Sequence, residues 1–138
     1  MPYPEMMVAP MRQDLVKIGF RELRTPAEVD EVLGSEKRTL LLAVNSVCGC
    51  SAGMMRPGVY YSLLGDPKPE VLTTVFAGQD MEATERAREY ITGYPPSSPS
   101  VALFKDGELV YMMERHQIEG RAPEEIARDL QAAYAEHC

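Results

Sequence analysis

A chain of 138 residues with 45% hydrophobic and 25% charged residues has the size and balance of one globular domain around one buried core. With Asp+Glu 21 against Lys+Arg 14 the formal net charge is -7 and no dense basic run tracks a phosphate backbone, which argues against nucleic acid as a partner. No stretch approaches the roughly 18 apolar residues that span a bilayer, and the opening MPYPEMMVAP has neither a basic nor an apolar leader region, so no membrane association and a cytoplasmic location are expected.

Residues 1–138 read as a single domain in which residues 1–18 form an N-terminal extension. Met11, Leu15 and Ile18 stand at helical spacing, which predicts a short amphipathic helix over 11–18. Phe20 to Arg24 reads as a brief edge strand. Thr25-Pro26-Ala27-Glu28 then has the form of a capping box with proline at the first helical position, and Val29, Val32 and Leu33 supply the apolar stripe behind it. Thr39 to Asn45 is an almost unbroken apolar run, suited to a strand covered on both faces. Ala52 to Leu64 has helical periodicity, interrupted at Pro57-Gly58, where a kink or restart is expected.

Val71 to Phe76 reads as the next strand. Asp80 is placed to cap a helix with Thr84, Ala87, Tyr90 and Ile91 inward, ended by Gly93. Val101 to Phe104 and Leu109 to Met113 form two strands around Asp106-Gly107, a strong signal for a tight antiparallel turn. Pro123 opens a last helix with Ile126, Leu130, Ala133 and Tyr134 inward. A βαβαβα unit followed by ββα implies an α/β protein with a mixed central sheet, helices on both faces and an extra N-terminal helix. That is the thioredoxin-like arrangement, which by itself supports several chemistries.

Three cysteines are present, two of them in Cys48-Gly49-Cys50 and the third, Cys138, at the chain end. An odd number with one close pair is no disulfide framework and points to redox chemistry or metal binding. Cys48 falls just beyond a core strand and at the start of a helix, where free backbone N–H groups and the helix dipole favour a thiolate. A thiolate is the attacking species in disulfide exchange. Two other readings stay open: small buried hydrophobes, and a metal or iron–sulfur site built from Cys48 and Cys50 with Cys138 or His116.

Ser98-Pro99 lies immediately before the hairpin, where thioredoxin-like proteins hold a cis-proline beside the active cysteines with adjacent backbone groups open to an incoming peptide. His116 reads as a surface residue just past the hairpin, His137 as solvated, and the nine methionines as core and groove filling.

Several segments together resemble the bacilliredoxins: NSVCGC at Asn45 to Cys50, the following SAGMMRP, FAGQD at Phe76 to Asp80, PPSSPS at Pro95 to Ser100, RHQIEGR at Arg115 to Arg121, and the terminal AEHC. The resemblance implies removal of bacillithiol from S-bacillithiolated client proteins, with bacillithiol as co-substrate, no bound cofactor or metal, and a weak disulfide reductase or isomerase activity. It implies Cys48 as nucleophile, Cys50 as its resolving or regulating neighbour, and Gly49, Ser98 and Pro99 as the substrate-facing positions. Cys138 matches the family's C-terminal cysteine without an assigned role.

Overall fold

The computed structural model describes residues 2–138. Along the chain come α1 (Glu5–Val16), β1 (Arg21–Glu22), α2 (Pro26–Leu33), β2 (Leu40–Asn45), a π-helical turn (Ser51–Met55) continued by α3 (Arg56–Ser62), and β3 (Val71–Phe76). Then follow α4 (Met81–Tyr90), β4 (Ser100–Lys105), β5 (Glu108–Met113), a 3-10 turn (Arg115–Gln117) and α5 (Pro123–His137). The strands make one sheet in the order β1-β3-β2-β4-β5; β1, β3 and β2 run parallel, whereas β4 and β5 are antiparallel to their neighbours.

Strand β2 is buried along its whole length. Because successive side chains of a strand face opposite ways, Leu41 and Ala43 pack with Leu15, Met55, Val59, Ile126, Leu130 and Tyr134, while Leu40, Leu42 and Val44 pack with Val29, Val32, Ala83 and Ala87. One face is therefore covered by α1, α3 and α5 and the other by α2 and α4. The α/β architecture is the thioredoxin-like one expected from the order of elements.

Local signals act as predicted at most element ends. Thr25 accepts a hydrogen bond from the Glu28 N–H at 3.2 Å, with Pro26 at the first position of α2. The Glu28 carboxylate reaches back one residue further than a capping box requires and takes the Arg24 N–H at 3.0 Å. Asp106 and Gly107 both have positive φ, 54° and 77°, the tight-turn geometry that suits the twist of the flanking strands. Ser98–Pro99 is a cis bond, as expected, and so is Asp66–Pro67.

Three expectations need correction. The N-terminal helix begins at Glu5, not Met11, and runs through Pro10, because tertiary contacts hold the segment down. Buried Arg12 joins Glu5, Glu22 and Asp80 at 2.7, 3.0 and 2.7 Å and lies over the Phe76 ring. Asp80 consequently makes no side-chain cap for α4; its carboxylate serves Arg12 instead. The methionines also divide: Met55, Met112 and Met113 are core, but Met6, Met7 and Met81 are exposed.

The interruption expected at Pro57 takes the form of the π turn just before it, which closes with the Arg56 N–H donating to the Ser51 carbonyl. Widening the helix here accommodates a ring that has no N–H to give and would otherwise crowd the carbonyl four residues back. Gly58 follows for a different reason. A Cβ at this position would sit 2.7 Å from Cγ2 and 2.9 Å from Cβ of Ile126, so α3 approaches α5 at contact distance only without a side chain.

Among the described residues no helix is long and apolar enough to cross a membrane. The Gly58 contact gives the first prediction. Gly58→Ala should gain helix propensity yet destabilise the protein by about 1–3 kcal/mol, the usual result of overpacking a filled interface. Urea unfolding monitored by circular dichroism checks this, and an unchanged or higher midpoint would contradict it.

Candidate active site

Strand β2 ends at Asn45, and the chain turns through Ser46 and Val47 to Cys48 before helical backbone begins at Gly49. The turn is braced from below by a buried guanidinium. Arg56 donates to the Asn45 side-chain carbonyl at 2.8 Å, to the Ser46 backbone carbonyl at 3.1 Å and to Asp14 of α1 at 3.1 Å. Asn45 also donates to the Met11 carbonyl and accepts from the Ser46 N–H, while the Ser46 hydroxyl pairs with Ser51 at 2.7 Å and accepts the Cys48 N–H at 3.3 Å. Each buried polar group of the turn is thereby partnered, so the turn has one favoured conformation.

On this platform Cys48 is half-buried and Cys50 buried, both as free thiols. Their sulfurs lie 2.9 Å apart, within hydrogen-bond reach of each other, and the Cys50 N–H donates to Cys48 Sγ at 3.3 Å. The Cys48 thiol is pulled below the ordinary thiol range by the Cys50 thiol first, then by the Cys50 N–H, with the Arg115 charge adding to both. The Cys50 thiol is pushed up, first because its proton serves Cys48 and then because it is buried. The two thiols are thus shifted in opposite directions.

Beyond the pair, Arg115 donates to Cys50 Sγ at 3.7 Å, to the Ser98 carbonyl at 3.2 Å and to Glu119 at 2.7 Å; Cys50 Sγ lies 3.6 Å from the same Glu119 carboxylate. Arg115 thus joins the loop before β4 to the cysteines. Pro99 is buried beside Ser100, and Gly49 is exposed with nothing within 4 Å of where a Cβ would stand.

The remaining sequence candidates do not converge here. Cys138 lies near Thr39, at the opposite end of β2 from Cys48, and a strand of this length separates its ends by about 20 Å. His116 turns away to pair with Glu114 at 3.2 Å on the exposed surface; Arg115, its neighbour, is the residue that reaches the sulfurs. His137, expected in solvent, is half-buried. Among the described residues no three His, Cys, Asp or Glu side chains are grouped to hold a metal ion. The three cysteines are therefore not one ligand set.

Sequence reasoning assigned no role to Asn45, Ser46, Ser51, Arg56, Arg115 or Glu119. Two signals were present: polar Asn45-Ser46 closing an apolar strand, and Arg115 and Glu119 at helical i, i+4 spacing. Neither shows which partner lies across the fold.

A thioredoxin-like sheet carrying a polarised thiol pair at the end of its central strand defines the class of thiol–disulfide oxidoreductases. The family described as disulphide isomerase matches residues 3–138. The chain is 55% identical over 140 residues to a bacilliredoxin of Salinibacter ruber, covering 100% of this chain and 82% of that one. It is 52% identical over 136 residues to one from Halalkalibacterium halodurans (99% and 94%), and 49% identical over 136 residues to one from Koribacter versatilis (99% and 94%). The chain belongs to the bacilliredoxin family.

The ranking of causes at Cys48 is open to test by alkylation rate against pH. The rate should rise and level off below the pH of a free thiol, because the thiolate forms there and is the reacting species. Cys50→Ala, which removes the hydrogen-bond donor, should move the inflection upward further than Arg115→Gln does. A larger shift in Arg115→Gln would invert the assigned order of causes.

Proposed function

We propose that the protein removes a low-molecular-weight thiol, bacillithiol, from mixed disulfides on cytoplasmic client proteins, with Cys48 as nucleophile. The observation that carries this is the unequal state of the two sulfurs: a half-buried Cys48 that accepts the Cys50 N–H and is pulled down by the Cys50 sulfur 2.9 Å away, and a buried Cys50 whose thiol is pushed up. The names of the relatives support the choice of thiol, since each is a bacilliredoxin.

In the first step the Cys48 thiolate attacks the bacillithiol sulfur of the client disulfide. A new Cys48–bacillithiol S–S bond forms, the old S–S bond breaks, and the client sulfur leaves as a thiolate that takes a proton from water. In the second step the thiolate of another bacillithiol attacks the captured bacillithiol sulfur, forming oxidised bacillithiol and returning Cys48 as a thiolate. Each step exchanges one S–S bond for another, so the two electrons needed to free the client come from the second bacillithiol. The Cys50 thiol and N–H stabilise Cys48 both as attacking group and as leaving group.

Cys50 is a poor resolving nucleophile in this arrangement. Its proton is held, and a disulfide across a single residue closes a small ring that cannot easily reach the relaxed S–S geometry. The adduct on Cys48 consequently waits for an external thiol. A weak disulfide reductase or isomerase activity is the expected side reaction when a protein thiol takes the place of the second bacillithiol. Gly49, Ser98 and Pro99 are assigned in this reading as the substrate-facing positions, supported by Arg115, which joins the Ser98 carbonyl to Cys50.

Reduced protein incubated with a bacillithiolated and with a glutathionylated client should turn over the former faster. Cys48→Ser should lose nearly all activity. Cys50→Ser, which keeps a hydroxyl donor, should retain substantial turnover and accumulate a bacillithiol adduct on Cys48 by intact-protein mass spectrometry. An adduct on Cys50, or equal loss in the two variants, would falsify the assignment.

A further inference from the structure

The 95–99 loop is flanked by two arginines that grip adjacent carbonyls. Arg115 donates to Ser98 O at 3.2 Å, and Arg88 of α4 donates to Ser97 O at 3.5 Å. A groove of about 470 Å³ beside Arg115 is lined by Pro95, Ser97, Glu114, His116 and Glu119. A second cavity of about 150 Å³ beside Arg88 shares Pro95 and Ser97 with it as lining residues, so the two flank the same loop.

The donors in these spaces are incompletely used. Among the described residues no carboxylate lies within ion-pair distance of Arg88, although burial already bears on its charge. A half-buried guanidinium without a carboxylate is costly unless an anion arrives. Of the five N–H donors of the Arg115 guanidinium, three are engaged, with Glu119, Ser98 and Cys50, which leaves two. Ser97 Oγ, in the wall shared by both spaces, is the buried side-chain polar atom without a partner among the described residues. Native structures rarely leave such a group unpaired. The two carboxylates in the larger groove, by contrast, have partners: Glu119 holds Arg115 and Glu114 holds His116.

We propose that this double cavity is the subsite for the non-sulfur portion of the small thiol, and that it selects thiols carrying carboxylates through Arg115 and Arg88, with Ser97 Oγ as a further hydrogen-bonding group. The assignment rests on the reading of Cys48 as the site of small-thiol capture. Arg115 lines the larger groove and reaches Cys50 Sγ at 3.7 Å, and Cys50 Sγ is 2.9 Å from Cys48 Sγ, so the groove is linked to the thiol pair through this one side chain. A carboxylate entering there meets the free N–H groups of Arg115, and a second, further from the sulfur, meets Arg88. Charge-assisted hydrogen bonds of this kind carry geometric as well as electrostatic selectivity. The net charge of -7 works the other way, since the whole-molecule field repels anions and attracts cations. A preference for anionic thiols must therefore come from the local arginines.

The test compares three small disulfides with full-length reduced protein: bis(2-hydroxyethyl) disulfide (neutral), 3,3′-dithiodipropionate (anionic) and cystamine (cationic). Rates of mixed-disulfide formation on Cys48 are normalised to the rate of each reagent with free 2-mercaptoethanol. The normalised anionic-to-neutral ratio should be about tenfold or more in the native protein. It should fall several-fold in Arg115→Gln, and in Arg88→Gln with oxidised bacillithiol as the anionic probe. Because anionic and neutral reagents meet the same thiolate, the ratio cancels any change in Cys48 reactivity and isolates the cavity. A native ratio near one, a preference for cystamine, or ratios unmoved in both variants would overturn the subsite. Turnover of the bacillithiolated client by Cys48 is read separately, so failure of the parent function and failure of the subsite give different patterns.

Discussion

A single buried guanidinium carries the geometry of the reactive loop. Arg56 lies at the start of α3, yet its three partners come from elsewhere: Asn45 and Ser46 at the end of β2 and Asp14 on α1. Burying a charge costs several kcal/mol unless it is fully partnered, and breaking such a set leaves that cost uncompensated. The end of the central strand, the N-terminal helix and the helix that follows the cysteines are thus held to one relative position, and the backbone that presents Cys48 has nowhere else to go. Arg12 repeats the device two residues before Asp14 on α1, tying that helix to β1 and to the start of α4 through Glu22 and Asp80. The extra N-terminal helix is in this sense part of the active site's foundation.

Above that foundation the chemistry depends on asymmetry between two like groups. Two thiols separated by one residue would have similar proton affinities in a flexible peptide. Here helical backbone starts between them, so the Cys50 N–H points at Cys48, while Cys50 Sγ meets Arg115 at 3.7 Å and Glu119 at 3.6 Å. Thiols this close titrate as a pair, and the contact between them pulls the Cys48 thiol down and pushes the Cys50 thiol up. Placing Cys48 toward solvent and Cys50 toward the core decides which sulfur meets a substrate. The Arg115–Glu119 pair then closes the other side of Cys50 and links it to the loop carrying cis-Pro99.

Much of this was legible in order of distance along the chain. The buried strand Leu40–Asn45, the Thr25 cap, the Asp106-Gly107 turn and the α5 stripe depend on neighbours within a few residues, where hydrophobic period and turn chemistry act directly. Cys48-Gly49-Cys50 was legible for the same reason: strand end, turn and helix start are local events. Asp80 failed because a local rule met a stronger distant partner; its carboxylate satisfies a buried arginine 68 residues away instead of its own helix. The start of α1 failed in the same way, since the helical spacing of Met11, Leu15 and Ile18 reached no further back, while Arg12 draws on Asp80, far along the chain.

What the sequence by itself determined is the set of elements, their order, and the thiol pair at the end of the central strand, because each follows from periodicity and from residues that fix local backbone. Only the tertiary structure decided which thiol is pulled down and which pushed up, that Arg115 and not His116 reaches Cys50, that Cys138 stands at the far end of β2, and that two arginines flank the 95–99 loop. Those outcomes depend on groups far apart in the chain meeting at distances near 3 Å, where hydrogen bonds and charges act strongly and a small displacement removes them.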